Sequence, residues 1–256
     1  VTLAFFLTPL PSSFTLETAQ EGGILTGHLS NNATTQSPVI TGFQEGNSRV
    51  VTFSVGKEHY CFLPSEPTQL ICRGDNSFGQ LGDAGVNRNL GEAVIDIQKF
   101  GLTLSVSSGE SHTCSLTVRS TVVCWGGDVF GQSSGSNLGS YSSGPRTIYL
   151  HGEPVKLISS GTLHTCALTL DGSVWCWGEI VLDYYESDDT STAPIKIVDG
   201  LITPSIAISS GRGHSCSILY NRSVMCWGEN VHGEIGADPK TNSTGPVFIP
   251  MPIDAV

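Results

Sequence analysis

Apolar residues along this chain fall in short runs, rich in β-branched side chains and separated by Gly, Ser, Asn and Pro. Ile206-Ala207-Ile208-Ser209 and Val174-Trp175-Cys176-Trp177 are typical. Runs of this length bounded by turn residues predict β-strands joined by tight turns. No 3.6-residue periodicity persists for more than a turn or two, so helices are not expected. The runs themselves recur. SVGKEHYCFLPSEPTQLICRGDNSFGQLG is followed by SSGESHTCSLTVRSTVVCWGGDVFGQ, then SSGTLHTCALTLDGSVWCWGEI, then SSGRGHSCSILYNRSVMCWGENVHGEIG. Each copy holds Gly, then His-x-Cys, then a second Cys. In three of them the second Cys begins Cys-Trp-Gly. The first cysteines, Cys61, Cys114, Cys166 and Cys216, recur at intervals of 53, 52 and 50 residues. Short strands repeating every ~50 residues predict an all-β propeller or solenoid.

A degraded fifth copy precedes these. Phe14 stands 47 residues before Cys61, Leu25 stands 47 before Cys72, and Thr26-Gly27 occupies the place of Trp-Gly. The whole of 1–256 is therefore expected to be one propeller domain or a fragment of one. The copies span about 1–46, 47–98, 99–151, 152–201 and 202–246, and 247–256 is expected to open a further copy. The first residue is Val1, which suggests a processed product or a fragment. The apolar opening VTLAFF is expected to be a strand rather than a signal remnant, having no basic segment before it.

The eight cysteines form four pairs: Cys61 with Cys72, Cys114 with Cys124, Cys166 with Cys176, and Cys216 with Cys226. Opposed residues in a hairpin have a constant position sum. The Cys166/Cys176 pair is therefore centred on Asp171, giving a three-residue loop Leu170-Asp171-Gly172 with Gly172 left-handed. The neighbouring copies centre on Arg119 and Asn221. The Cys61/Cys72 centre falls between Glu66 and Pro67, which implies an even-numbered loop. Directly opposed strand positions lie about 4.5–5.5 Å apart, within reach of a disulfide. Four local disulfides, and hence an oxidising compartment, are expected.

His59, His112, His164 and His214 each precede a cysteine by two residues. Zinc would need four ligands and usually a C-x2-C knuckle, which is absent. The histidines are instead expected to cap a strand or hydrogen-bond a neighbouring blade. Trp125, Trp177 and Trp227 are likewise structural, and no metal or cofactor is expected. No nucleophile with a base emerges: Gly-x-Ser-x-Gly, His-Glu-x-x-His and a phosphate loop are all missing. Ser-Ser-Gly before His recurs in three copies, which fits a turn rather than a catalytic serine.

These copies resemble the repeats of the regulator of chromosome condensation family. The likeness rests on Gly-x-x-His-x-Cys-x-Leu, on Val-x-Cys-Trp-Gly, and on GDNSFGQLG at 74–82 and GENVHGEIG at 228–236. It implies a propeller of four-stranded blades, usually seven, of which five copies are visible. A fragment of a longer chain is therefore expected, with a propeller closed by another segment or chain as the alternative. The form with two cysteines per copy resembles extracellular members, such as bacterial surface proteins and the ectodomains of plant crinkly-type receptor kinases. The founding activity, nucleotide exchange on a chromatin-bound GTPase, needs a nuclear, reduced protein and is not carried over.

Charge sharpens this. The 256 residues carry 12 Lys and Arg against 23 Asp and Glu, a net charge of −11. That balance disfavours nucleic acid and anionic lipid. No apolar stretch reaches the ~18 residues of a membrane-spanning helix. Asn32, Asn221 and Asn242 head Asn-x-Ser/Thr sequons in expected loops, so N-linked glycans are anticipated. After Trp177-Gly178 the usual Gly-Gln loop is replaced by a segment holding Asp183, Tyr184, Tyr185, Glu186, Asp188 and Asp189, the candidate partner-binding loop. The expectation is a secreted or cell-surface, non-enzymatic protein-binding or structural module. Its partners would be proteins, copies of itself or subunits of a surface assembly. A secreted enzyme inhibitor or a receptor ectodomain are the alternatives.

Overall fold

The computed structural model describes residues 17–18, 25–26, 44–45, 48–64, 69–82, 91–95, 100–135, 142–180, 193–238 and 245–249. Four antiparallel blades dominate. Blade I comprises β4 (Ser48–Val55), β5 (His59–Pro64), β6 (Leu70–Gly74) and β7 (Gly91–Ile95), with β3 (Gln44–Glu45) paired to the start of β4. Blade II comprises β8 (Thr103–Ser108), β9 (His112–Thr117), β10 (Val122–Gly127) and β11 (Ser142–Ile148). Blade III comprises β12 (Val155–Ser160), β13 (His164–Thr169), β14 (Val174–Gly178) and β15 (Ile195–Val198). Blade IV comprises β16 (Ser205–Ser210), β17 (His214–Leu219), β18 (Val224–Gly228) and β19 (Val247–Ile249). The first strands β4, β8, β12 and β16 pack on one another in turn, which places them innermost.

Two expectations need correction. The segment from Val247 does not open a further copy: β19 pairs with β18, Val224 opposite Ile249 and Cys226 opposite Val247. The physical reason is that blade IV, ended at 246, would leave the outer edge of β18 unpaired. In the first copy, β1 (Glu17–Thr18) pairs with β2 (Leu25–Thr26), so Leu25 faces Thr18. Leu25 stands in the place of Cys72, but its partner Thr18 stands four residues after the place of Cys61, so this hairpin's register differs from that of the cysteine pairs. Phe14 and the opening VTLAFF lie outside the described residues.

The hairpin centred on Asp171 forms as the position sum requires. Cys166 faces Cys176, Thr169 N donates to Ser173 O at 2.9 Å, and Gly172 has φ of 90°. At the same loop position the other blades place Ser120 (φ 58°) and Arg222 (φ 69°). A left-handed conformation costs an L-residue about 1–2 kcal/mol, partly offset by the backbone entropy a glycine would lose. Ser120→Gly and Arg222→Gly are therefore each expected to stabilise by roughly 0.5–1 kcal/mol, raising Tm in a calorimetric scan. The loop of the Cys61/Cys72 hairpin lies outside the described residues.

All four cysteine pairs are disulfide-bonded, with Cα separations of 4.0–4.1 Å. That is tighter than the spacing expected from strand geometry. Among the described residues no helix is long and apolar enough to cross a membrane.

Candidate functional site

The repeated motif residues converge on the seams between blades. Each seam core joins one blade's disulfide to the next blade's tryptophan. Cys61, Leu63, Leu70 and Cys72 pack with Val106, Val123 and Trp125. Cys114, Leu116, Val122 and Cys124 pack with Trp177. Cys166, Leu168, Val174 and Cys176 pack with Trp227. Trp125 Nε1 donates to Gln80 O at 3.0 Å, and Trp177 Nε1 to Gln132 O at 3.1 Å. These acceptors belong to the 74–82 loop and its counterpart. Blade III lacks that loop motif, and Trp227 Nε1 is buried with no acceptor among the described residues.

The histidines stitch the seams. His59 Nε2 lies 2.8 Å from Thr113 Oγ1, His112 Nε2 2.8 Å from Thr165 Oγ1, and His164 Nε2 2.8 Å from Ser215 Oγ. The proton direction follows from the partners. Thr113 donates to Gln80 O at 3.0 Å, and Ser215 donates to Ser210 Oγ at 2.9 Å. Each hydroxyl has spent its proton, so His59 and His164 must carry hydrogen on Nε2 and donate it. Their Nδ1 atoms are buried without partners. A parallel set of bonds uses the serines. Ser108 N, Ser160 N and Ser210 N donate to Ser54, Ser107 and Ser159 Oγ of the preceding blade at 2.9, 2.9 and 2.8 Å. The Ser-Ser-Gly repeat is thus an inter-blade fastener.

Burial pushes His59 and His164 down to about 4 and His112 to about 3. For His112, the neighbouring His164 and His59 add to the effect. Asp75 opposes the shift of His59. An unfolded histidine protonates near 6.5, so between pH 6.5 and about 4 the unfolded chain binds more protons than the native one. Stability is therefore full above 6.5 and falls as pH drops, by up to about 1.4 kcal/mol per pH unit per histidine. Thermal melts should show Tm falling steeply between pH 6 and 4. The slope should lessen in His112→Gln, whose side chain does not titrate.

The remaining expected residues are distributed as follows. The turns before each His and the residues that follow Cys-Trp-Gly, or Cys-Arg-Gly in blade I, share one end, tied by Asp75 N to Glu58 O (2.8 Å) and Gly127 N to Ser111 O (2.7 Å). A hollow of about 330 Å³ opens there beside Lys57, Phe78, Glu110, Val129 and Phe130. The hairpins lie at the other end, bonded to the inter-blade connectors through Leu170 N to Pro154 O and Tyr220 N to Pro204 O. This hairpin end exposes large apolar side chains: Tyr149, Leu170, Leu201, Ile202 and Tyr220 are 60–85% exposed. Asn221 sits there as well, exposed, its Oδ1 accepting from Ser223 N at 3.0 Å. Asn32, Asn242 and the loop residues Asp183, Tyr184, Tyr185, Glu186, Asp188 and Asp189 lie outside the described residues. Among the described residues, no three His, Cys, Asp or Glu cluster as metal ligands. Sequence reasoning missed the hydroxyl partners Thr113, Thr165 and Ser215. Their signal was visible: a small hydroxyl follows His in three copies.

Comparison with known proteins finds three matching repeats. The profile described as "Regulator of chromosome condensation (RCC1) repeat" matches residues 104–132, 155–179 and 206–234, which fall on blades II, III and IV.

Blades II, III and IV are repeats of the regulator of chromosome condensation type.

Two curated relatives are similar over about half of the chain. One is the human protein named "Probable E3 ubiquitin-protein ligase HERC6", 32% identical over 126 residues, covering 48% of this chain and 12% of that protein. The other is the guanine nucleotide exchange factor SRM1 of Saccharomyces cerevisiae, 30% identical over 143 residues, covering 54% and 29%. The chain thus matches under a third of either relative's length. Among solved structures, human WBSCR16 superposes with a TM-score of 0.69 at 18% identity, over 82% of this chain and 55% of that one. Yeast RCC1 (Prp20), solved bound to Kap60, superposes with a TM-score of 0.66 at 21% identity, over 81% and 50%. These likenesses establish the repeat propeller fold.

Proposed function

We propose that the chain is a non-enzymatic protein-binding module of the regulator of chromosome condensation repeat type, working outside the cell or on its surface. The observation that carries this reading is the disulfide in every described blade, bonds that persist in oxidising compartments and are rare in reducing ones. The acidic balance and the sequons support it. The hairpin end is the binding face, because large exposed apolar side chains gather at that end. Leu170, Leu201, Ile202 and Tyr220 supply the aliphatic and aromatic contacts. A glycan on Asn221 would stand beside Tyr220 and limit access. The loop carrying Tyr184 and Tyr185 is a second contact in this proposal.

The reading is tested by secreting the chain from its own cell type and crosslinking it in the medium. A discrete protein partner should appear with the parent and be lost with the double variant Leu201→Asp/Ile202→Asp, at unchanged Tm. Asn221→Gln should strengthen capture if that site is occupied. Retention of the same partner by the double variant would overturn the choice of face. Recovery of the native protein with reduced cysteines would overturn the compartment.

A further inference from the structure

The connectors that leave blades II and III have the same length and different shapes. Six residues join the outer strand to the next inner strand in each: 149–154 after Ile148 and 199–204 after Val198. Both accept a bond from the following hairpin, at Pro154 O and Pro204 O, and both end in a bond to their own hairpin, Val155 N to Ser120 O and Ser205 N to Gly172 O. Between these anchors blade III is closed. Gly200 N donates to Ser173 Oγ at 3.0 Å, and a Cβ on Gly200 would meet Asp171 O and Ser173 N at 2.4 Å. In blade II the counterpart of Ser173 is Thr121, whose hydroxyl is engaged by that of Thr117 at 2.7 Å. The connector stands away, and a Cβ on Gly152 would meet nothing within 4 Å. A hollow of about 170 Å³ remains, with Arg119, Ser120, Thr147, Tyr149 and Glu153 among its walls.

An aromatic ladder is built beside it. The rings of Tyr149 and His151 lie 5.3 Å apart, and those of His151 and Trp175 5.2 Å. Trp175 is buried and is not one of the repeated tryptophans: the same strand position holds Ile71, Val123 and Met225 in the other blades. Its Nε1 donates to Glu153 Oε2 at 2.7 Å, and Lys196 Nζ lies 5.1 Å from its ring centroid. Lys196 also donates to Glu153 Oε1 at 3.0 Å. The carboxylate is thus fixed in place and still has lone pairs to accept further bonds. His151 holds its rung at a φ of 53°, a left-handed conformation that only Gly adopts freely. Tyr149, the outermost rung, is 71% exposed. A strained residue that supports a ring in solvent adds little to the fold, and such strain gathers at ligand clamps.

The chemistry of the hollow selects among ligands. A nucleotide would bring phosphate to a chain of net charge −11. A quaternary ammonium needs an open aromatic face, and Trp175 already has Lys196 over its ring. The groups on offer are an accessible phenol ring, hydroxyls, a guanidinium fork and a carboxylate around a small space. That set suits a pyranose, with apolar C–H faces for the ring and adjacent hydroxyls for the charged groups. We infer that the hollow binds a neutral saccharide, stacked on Tyr149 and hydrogen-bonded to Arg119, Thr147 and Glu153. The sugar could belong to a polysaccharide or to a glycoprotein glycan. The site is independent of the protein contacts proposed for Leu201 and Ile202.

Saturation-transfer NMR and calorimetric titration of the intact chain test this. The probes are cellotetraose, mannotetraose, galactotetraose and chitotetraose for polysaccharides, and ovalbumin before and after enzymatic removal of its N-glycans for glycoproteins. At least one tetrasaccharide or the glycosylated ovalbumin should bind, and which of them binds assigns the source. Tyr149→Ala should weaken binding about tenfold, the loss of one stacking contact, at unchanged Tm. His151→Gly relieves the backbone, so Tm should not fall, yet binding should weaken about threefold as Tyr149 loses its support. Leu201→Asp/Ile202→Asp should bind the sugar as the parent does, which separates this site from the proposed protein-binding face. No binding of any probe, equal binding of ovalbumin with and without its glycans, parent affinity in Tyr149→Ala, or loss of sugar binding in the Leu201/Ile202 variant would each overturn the inference.

Discussion

Gly161→Ala is expected to lower the melting temperature by roughly 6–15 °C, corresponding to a loss of about 3–5 kcal/mol. A Cβ there would stand 2.2 Å from His164 Cε1 and 2.6 Å from Gly211 O. Neither neighbour can give way. The imidazole is fixed by its bond to Ser215, and the carbonyl belongs to the backbone of blade IV. Relief would require opening the III–IV seam, releasing the contacts of Leu168, Val174 and Trp227. Gly109→Ala should behave alike, with His112 Cε1 at 2.2 Å and Gly161 O at 2.5 Å. Gly144→Ala is the control, because a Cβ there meets nothing within 4 Å. A calorimetric scan of the three variants checks the pattern. Equal Tm values for Gly161→Ala and Gly144→Ala would show that the seams are looser than the distances state.

Reduction is the second large effect. Each bridge closes a sequence separation of 10 or 11 residues. The chain-entropy relation gives about 2–3 kcal/mol for a loop of that size, so four bridges contribute on the order of 10 kcal/mol. That matches the whole stability of an ordinary domain. Full reduction is therefore expected to unfold the blades at 37 °C. Tryptophan fluorescence would shift to longer wavelength as Trp125, Trp177 and Trp227 leave their seams. Single Cys→Ala pairs should cost less, and the Cys216/Cys226 pair least. Its bridge packs against no following blade among the described residues, whereas the other three lie beneath a tryptophan or its seam.

Much of this was legible in the sequence because repetition amplifies weak signals. One Cys-x9-Cys pair is ambiguous, but the same pair at a near-constant period fixes both the strand register and the repeat length. The left-handed loop position followed from the sum at Cys166 and Cys176 alone. What escaped was contact between copies. Nothing within a copy states that His112 reaches Thr165, 53 positions away, because the period only says that both recur. The outer strand of blade IV was misplaced for a related reason. Val247–Ile249 follows a long connection, and only its pairing with β18 assigns it backward rather than forward.

The central claim is that each blade is sealed by its own disulfide and fastened to the next through His and Trp. Peptide mapping of the unreduced natural protein by mass spectrometry tests it most directly. It should recover Cys61–Cys72, Cys114–Cys124, Cys166–Cys176 and Cys216–Cys226 with no free thiol, whereas a bridge between blades or alkylatable cysteines would contradict the claim.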